Sequence, residues 1–363
     1  MTTIAEQLPA AHAPEEDRPV FGGVDTHADT HTAAVIDAAG RLLAHEQFAA
    51  TPAGYARLTD WLGAHGRVQR VGVEGTGVYG AGLARHLSAA GLEVVEVDRP
   101  DRKTRRFAGK SDPIDAEAAA RAALTGRAAG TPKTRTGPVE ALRALRVARR
   151  SAIAARAEAQ TQLRALLITA PEPLRAQLRT LPLRQLLATC GALRPDLSRI
   201  HEPEQATKAA LRTLARRHAQ LTTEIDELDG QLGPLVEQVN PALTAANGVG
   251  TDVAGQLLVT AGDNPDRLRS EAAFAALCGV SPIPASSGRT HRHRLNRGGD
   301  RQANAAIYRV VLCRMRWDPR TRAYVERRTK EGLSKKDIIR CLKRLIAREL
   351  YYLLTSSSSI RAA

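Results

Sequence analysis

Four acidic residues of the chain are placed where they could hold a metal ion. Asp25 ends an apolar stretch in "GGVDTH", and Glu74 stands in a second apolar stretch, "VGVEGTG", directly before a glycine. Asp112 and Asp115 are three residues apart in "SDPIDAEAAARAAL", so they share a face if that segment is helical. Because an acid is costly to bury unless it is paired or bound to a metal, the set predicts a carboxylate site for cations.

Mg²⁺ is the cation that such a set favours. It takes oxygen ligands from a few carboxylates, water and phosphate, and two such ions can stabilise the attacking and leaving oxygens of a phosphoryl transfer. We therefore expect two Mg²⁺ ions per site, with Mn²⁺ as the alternative metal. The predicted ligands are Asp25, Glu74, Asp112 and Asp115.

A simpler interpretation accounts for each acid taken alone. Asp112 would be the N-cap of a helix with Pro113 at its first position, and Asp115 would lie in the first turn, where the helix dipole favours negative charge. Asp25 would be a solvated turn residue and Glu74 a strand-end acid. The presence of all four acids in one basic chain favours the metal site. His27 and His31 lack a complete metal-ligand spacing and are interpreted as turn residues.

The charge of the chain indicates a polyanionic partner. Its 363 residues include 53 Lys and Arg against 38 Asp and Glu, a net charge of +15. Nucleic acid is the first partner to consider. Aromatic residues make up only 3% of the chain, too few for a platform that stacks bases, so charge and shape should dominate recognition. A later loop, "SSGRTHRHRLNRGGDR", carries arginines that suit backbone phosphate: Arg289, Arg292, Arg294, Arg297 and Arg301.

Several other classes of protein are disfavoured. The four cysteines are far apart and form no C-x-x-C pair, which argues against a zinc site and a disulfide framework and favours buried thiols. No apolar stretch is long enough to cross a bilayer, so no membrane partner is expected. The first residues lack the basic and apolar regions of a secretion signal, which favours a cytoplasmic protein with a disordered tail.

Changes of composition divide the chain into four predicted parts. Residues 1–18 form the tail, and residues 19–130 alternate strands and helices in a mixed α/β domain. Residues 131–239 contain leucines at three- and four-residue spacing with charges between them, which predicts a coiled-coil or dimerisation segment of long helices. Residues 240–363 form a mostly helical domain that contains the basic loop.

The combined motifs resemble a known family. An Asp in the first strand, a Glu in "VEGTGVYG", a "KSDPIDA" helix start and the later "LCGVSPIPASSG" loop resemble the DEDD transposases of bacterial insertion sequences, in the family numbered one hundred and ten. The related Piv-type DNA invertases carry similar motifs. The resemblance covers nearly all of the chain after its tail.

This resemblance implies both a fold and a mechanism. The fold is a RuvC-like, RNase-H-fold N-terminal domain, a coiled-coil middle and a C-terminal transposase domain. The serine before the loop glycine is the implied nucleophile, which is Ser287, with Ser286 as the adjacent alternative. It would form a phosphoserine link to DNA. The implied partners are donor and target DNA, a noncoding bridge RNA and other copies of the chain, as a dimer or tetramer with a composite site, near the bacterial nucleoid.

Three alternatives remain open at this stage. A RuvC-like nuclease or junction resolvase would use the acids to activate water and leave free cut ends. A Piv-type invertase differs mainly in the DNA sites supplied. A catalytically inert nucleic-acid-binding scaffold would use its acids only for helix capping and solvation. We rank the recombinase first because the acids and the serine loop follow in the expected order.

Overall fold

The computed structural model describes residues 17–97, 111–128, 130–289 and 293–356. The predicted disordered tail lies outside these ranges up to residue 16. The chain divides into two compact units. The first comprises the chain up to Thr136 together with Gly262–Arg267, and the second comprises Gly137–Ala261 and the chain from Leu268 onward.

The first unit contains a five-stranded mixed sheet in the order β3-β2-β1-β4-β5. Strand β1 pairs antiparallel with β2 and parallel with β4, β2 pairs antiparallel with β3, and β4 pairs parallel with β5. The predicted mixed α/β architecture of this part is therefore confirmed. The strands are β1 (Pro19–Thr26), β2 (Thr30–Asp37), β3 (Leu42–Ala49), β4 (Arg67–Glu74) and β5 (Val94–Val97), and the helices are α1 (Pro52–Ala64), α2 (Ala81–Ala89) and α3 (Asp112–Leu124).

One core of this unit lies between the sheet and helices α1 and α2. Valines of the central strands, among them Val24 and Val71, are fully buried there with Leu58 and Leu83 of the two helices. Helix α1 begins where the Thr51 hydroxyl accepts a hydrogen bond from the Gly54 amide at 3.2 Å. This capped start gives the helix its direction along the sheet.

Helix α3 packs very closely on the central strands. A Cβ atom added to Gly23 of β1 would lie 2.1 Å from the Ala120 nitrogen, and one added to Gly72 of β4 would lie 2.5 Å from the Ala119 oxygen. The helix meets these glycines with a stripe of buried alanines at helical spacing: Ala116, Ala119, Ala120 and Ala123. Small residues on both surfaces therefore bring the two backbones into contact.

The second unit is mostly helical. Two long helices, α4 (Pro138–Ile168) and α7 (Pro203–Val239), pack against each other along their length, and α5 (Glu172–Leu178) and α6 (Leu183–Ala192) share a buried leucine cluster with them. The remaining elements are α8 (Pro241–Thr244), α9 (Thr251–Ala261), α10 (Glu271–Leu277), the short strands β6 (Ile283–Pro284) and β7 (His293–Arg294), α11 (Arg301–Trp317), α12 (Pro319–Lys330) and α13 (Lys335–Ser356).

The C-terminal helices form the largest apolar core of the second unit. Phe274, Leu257, Ile307 and Leu350 are fully buried in it. Cys190 and Cys278 are buried free thiols, and burial raises the pKa of both, as expected for packing residues. None of the described helices combines the length and apolar character that crossing a bilayer requires.

The close approach of α3 gives a stability prediction. We expect Gly23→Ala to destabilise the protein by about 1–3 kcal/mol or more, because the added methyl group would meet the backbone of α3 rather than a movable side chain. Gly63→Ala is a matched control, since a Cβ there meets nothing within 4 Å. Chemical denaturation of both variants measures the difference, and equal stability would show that α3 can move away at no cost.

Candidate functional site

The two strand acids lie side by side at one edge of the sheet. Val24 of β1 is in register with Val73 of β4, and Asp25 and Glu74 are the next residue of each strand. Asp25 is buried and Glu74 is half-buried. Because side chains alternate along a strand, each acid lies on the same face as the glycine two residues before it, which is the face covered by α3.

The two helix acids arrive at this edge from α3. Asp112 is its first residue, and Asp115 is buried in its first turn. Asp115 lies one helical turn before Ala119 and so shares a face with it. The prediction that Asp112 is the N-cap was wrong: Ser111 occupies that position in an extended conformation, and no side chain caps the helix. The carboxylate of Asp112 is therefore not used for capping.

The structure brings an acid of the sheet and an acid of the helix together around one histidine. The Nε2 atom of His27 lies 3.2 Å from Oδ2 of Asp25 and 3.4 Å from Oδ1 of Asp112. One ligand atom from each of these residues lies within 4.8 Å of the other two, so a single cation could contact all three. Asp115 lies close enough to act electrostatically on Asp25, and Glu74 supplies a further carboxylate at the neighbouring strand end.

The electrostatics of this site disfavour three ionised acids without a cation. Burial raises the pKa of Asp25 above its ordinary value, the carboxylates of Asp112 and Asp115 raise it further, and His27 lowers it in part. No lysine or arginine among the described residues forms an ion pair with Asp25. Carboxylate oxygens in this number fit a hard divalent cation such as Mg²⁺ or Mn²⁺, which would supply the missing positive charge.

The histidines depart from the sequence-based interpretation in two ways. His27 does follow β1 in a turn, but it is also the residue that contacts both Asp25 and Asp112, which its spacing alone did not indicate. The only sequence signal was its position two residues after Asp25. The interpretation of His31 as a turn residue was wrong, because it lies within β2, is fully buried and stacks on Tyr55 with ring centroids 5.6 Å apart.

The serine loop lies in the second unit. Ser286 and Ser287 are both exposed and stand between the paired strands β6 and β7, and Gly288 follows with φ 55°. The described arginines of the loop are also exposed, and Arg292 lies outside the described residues. The described part of this segment thus exposes two hydroxyls and four arginines: Arg289, Arg294, Arg297 and Arg301.

Models of known families match both units in chain order. The DEDD transposase model of IS110 elements matches residues 22–170, which contain all four acids. The transposase model of the IS116/IS110/IS902 family matches residues 240–326, which contain the serine loop.

Two proteins of insertion elements are similar over part of the chain. The 43.6 kDa protein of insertion element IS110 from Streptomyces coelicolor is 31% identical over 142 residues, which is 39% of this chain and 30% of that protein. The 42 kDa protein of insertion element IS900 from Mycobacterium paratuberculosis is 26% identical over 132 residues, which is 36% of this chain and 33% of that protein. The similar region thus spans about a third of each relative. Because models of IS110 transposases match residues 22–170 and 240–326, together more than half of the chain, the chain belongs to the IS110 family of insertion-sequence transposases.

Proposed function

We propose that the protein is a DNA transposase, a site-specific recombinase that exchanges DNA strands with the help of divalent metal. The observation that carries the proposal is the convergence of Asp25 and Asp112, from a strand end and a helix start, on one cation-sized position beside Asp115 and Glu74. The family membership of the chain supplies the reaction class. Mg²⁺ is the proposed metal, with two ions per site and Mn²⁺ as the alternative.

In this proposal the acids would hold a divalent metal, and the metal would orient the reacting phosphate. Bound metal would polarise a phosphate oxygen and stabilise the charge that develops on it during transfer. Asp25 and Glu74 are fixed by the sheet, and Asp112 and Asp115 by α3, so the four carboxylates keep their spacing without a flexible loop. His27 lies between Asp25 and Asp112 and would help to orient their carboxylates.

Ser287 is the proposed nucleophile. Its Oγ would attack a DNA phosphorus and form a phosphoserine bond as the bond to the bridging oxygen of the cut strand breaks. The serine proton would pass to that bridging oxygen, which leaves as a free hydroxyl. A hydroxyl of another DNA strand would then attack the same phosphorus and release the serine, so no bond energy is lost. Arg289 and Arg294 are exposed near this hydroxyl in the chain and suit phosphate binding.

The remaining parts of the proposal rest on the family resemblance. One part is a RuvC-like RNase-H fold for the first unit, and the acids at two adjacent strand ends support it. Another is a coiled-coil role for α4 and α7, which pack along each other. They also include a dimer or tetramer in which the acids of one subunit act with Ser287 of another, a bridge RNA that pairs with donor and target DNA, and a location at the nucleoid. The water-using nuclease is the second candidate, because the acids could activate water themselves and an exposed Ser287 could be incidental to the reaction.

Metal binding should be visible in stability. The folded-state pKa of Asp25 is raised, so without metal its contribution to stability is complete at low pH and is lost as the pH rises through that pKa. In chelator, the free energy of unfolding should therefore fall over this range in the wild type but not in Asp25→Asn. At neutral pH, Mg²⁺ should restore stability by about 3 kcal/mol at about one hundred times its Kd.

Calorimetry with and without Mg²⁺ measures these effects. Asp60→Asn is the matched control, since Asp60 is an exposed acid of α1 whose loss should leave both the pH dependence and the Mg²⁺ effect unchanged. If Mg²⁺ stabilised the wild type and Asp25→Asn equally, Asp25 would not be a ligand of the metal.

Asp115→Asn should lower the rate of strand exchange by about a hundredfold or more while leaving DNA binding intact, because it removes a charge near the metal but keeps the shape of a buried side chain. Glu117→Gln is the control on the same helix, where Glu117 only pairs with Arg121. Strand exchange is measured on DNA carrying the element ends, and folding by circular dichroism. A folded variant with normal exchange would exclude Asp115 from the site.

A covalent adduct tests the nucleophile. Protein incubated with Mg²⁺, candidate bridge RNA and element-junction DNA, then denatured, should carry DNA linked to the peptide that contains Ser287. The adduct should disappear in Ser287→Ala and persist in Ser286→Ala. Cleaved DNA that appears without an adduct, in the wild type and in Ser287→Ala alike, would instead support the water-using nuclease.

A further inference from the structure

A second candidate site lies in the second unit, in a cleft whose lining does not include Ser286 or Ser287. A cleft of about 360 Å³ is lined by residues of α4, α9 and α11. Five arginines line it, against two aspartates: Arg143, Arg146, Arg149, Arg150 and Arg309. On α4 these arginines recur at three- and four-residue intervals, so the helix presents them as a stripe along one side of the cleft.

Three of these arginines share one carboxylate. Arg146 donates from Nη1 to Oδ1 of Asp252 at 2.9 Å and to its backbone oxygen at 2.9 Å. Arg149 lies 3.4 Å from the same Oδ1, and Arg309 donates to Oδ2. One negative charge is therefore divided among three guanidinium groups from two helices.

The other acids near the cleft balance only part of this charge, since Glu140 pairs with Arg143 and Asp229 pairs with Arg149. Asp300 already accepts from the amides of Gln302 and Ala303 at the start of α11 and from the Thr260 hydroxyl at 2.7 Å. Arg150 is exposed and forms no ion pair among the described residues, so the cleft keeps a surplus of positive charge.

The surplus has an electrostatic cost. The pKa of Arg146 is lowered, first by burial and then by repulsion from Arg149 and Arg309, although Asp252 opposes both effects. An additional anion in the cleft would lower this repulsion. Guanidinium groups present planar pairs of donors that match the oxygens of a phosphate.

A purely structural role would explain only part of the arrangement. Arg146 and Arg309 joined by Asp252 would be enough to link α4, α9 and α11. That role gives no reason for the exposed Arg150 on the same stripe or for an open volume beside the charges. A site for an anion accounts for both observations.

We propose that this cleft binds the phosphodiester backbone of a nucleic-acid strand, at a position distinct from the strand that would react at Ser287. The inference rests on the proposed function only in taking the anion to be nucleic acid. DNA and RNA share the phosphodiester chemistry, and the experiment separates them. Arg150 is the residue to test, because it is exposed and has no hydrogen bond or ion pair among the described residues.

The test compares Arg150→Ala with Arg164→Ala, which removes the same charge from an exposed position of α4 outside the cleft. Binding to a fluorescein-labelled DNA duplex and to a labelled RNA hairpin is measured by anisotropy over a series of salt concentrations. Arg150→Ala should weaken binding to one or both probes about tenfold more than Arg164→Ala and reduce the salt slope by about one unit. Arg150→Lys should recover most of the salt slope but less of the affinity.

The outcomes are separable from those of the proposed function. A loss confined to the DNA duplex or to the RNA hairpin identifies the source of the strand, and a loss on both supports a shared backbone site. Equal effects of Arg150→Ala and Arg164→Ala on both probes overturn the proposal. Normal strand exchange in Asp115→Asn would instead count against the catalytic proposal and leave the cleft unaffected, because the binding assay requires no chemistry.

Discussion

The contact between α3 and the two strand glycines is the constraint on which the candidate site depends. Gly23 and Gly72 let the helix backbone approach the sheet, and the alanine stripe of α3 fills the contact without side-chain bulk. Asp25 and Glu74 lie two residues after these glycines. Asp112 and Asp115 lie one helical turn before alanines of the stripe. The spacing of the carboxylates is thus set by backbone contact, which is far stiffer than a contact between long side chains.

The same contact makes the site electrostatically unfavourable in isolation. It buries Asp25 and Asp115 near each other and leaves a histidine, His27, as the close neighbour of Asp25 and Asp112. Part of the free energy of folding is therefore coupled to the proton or cation that neutralises these acids. Stability and the proposed metal binding are therefore linked through the titration of Asp25. Tight packing elsewhere in the unit offsets the cost of holding the acids together.

Sequence reasoning identified the sheet, the long helices and the positions of the acids, because hydrophobic periodicity and costly buried charges are visible in a single chain. It missed the contacts of His27, which depend on where a turn points, and it assigned the N-cap one residue late because Ser111 and Asp112 are both good capping residues. The arginine cleft was also not predicted. Arg146, Asp252 and Arg309 are separated by more than fifty residues each, and only the packing of their helices brings them together.

The long helices set a length scale that bears on the proposed action on DNA. At about 1.5 Å per residue, α4 with 31 residues extends about 46 Å and α7 with 37 residues about 56 Å. One turn of duplex DNA is about 34–36 Å long. If a duplex lay along this helical pair, a phosphate at one end of the pair would therefore belong to a different turn from a phosphate at the other end. Two DNA contacts at opposite ends of the pair would therefore require both a set spacing along the duplex and a set rotation about its axis.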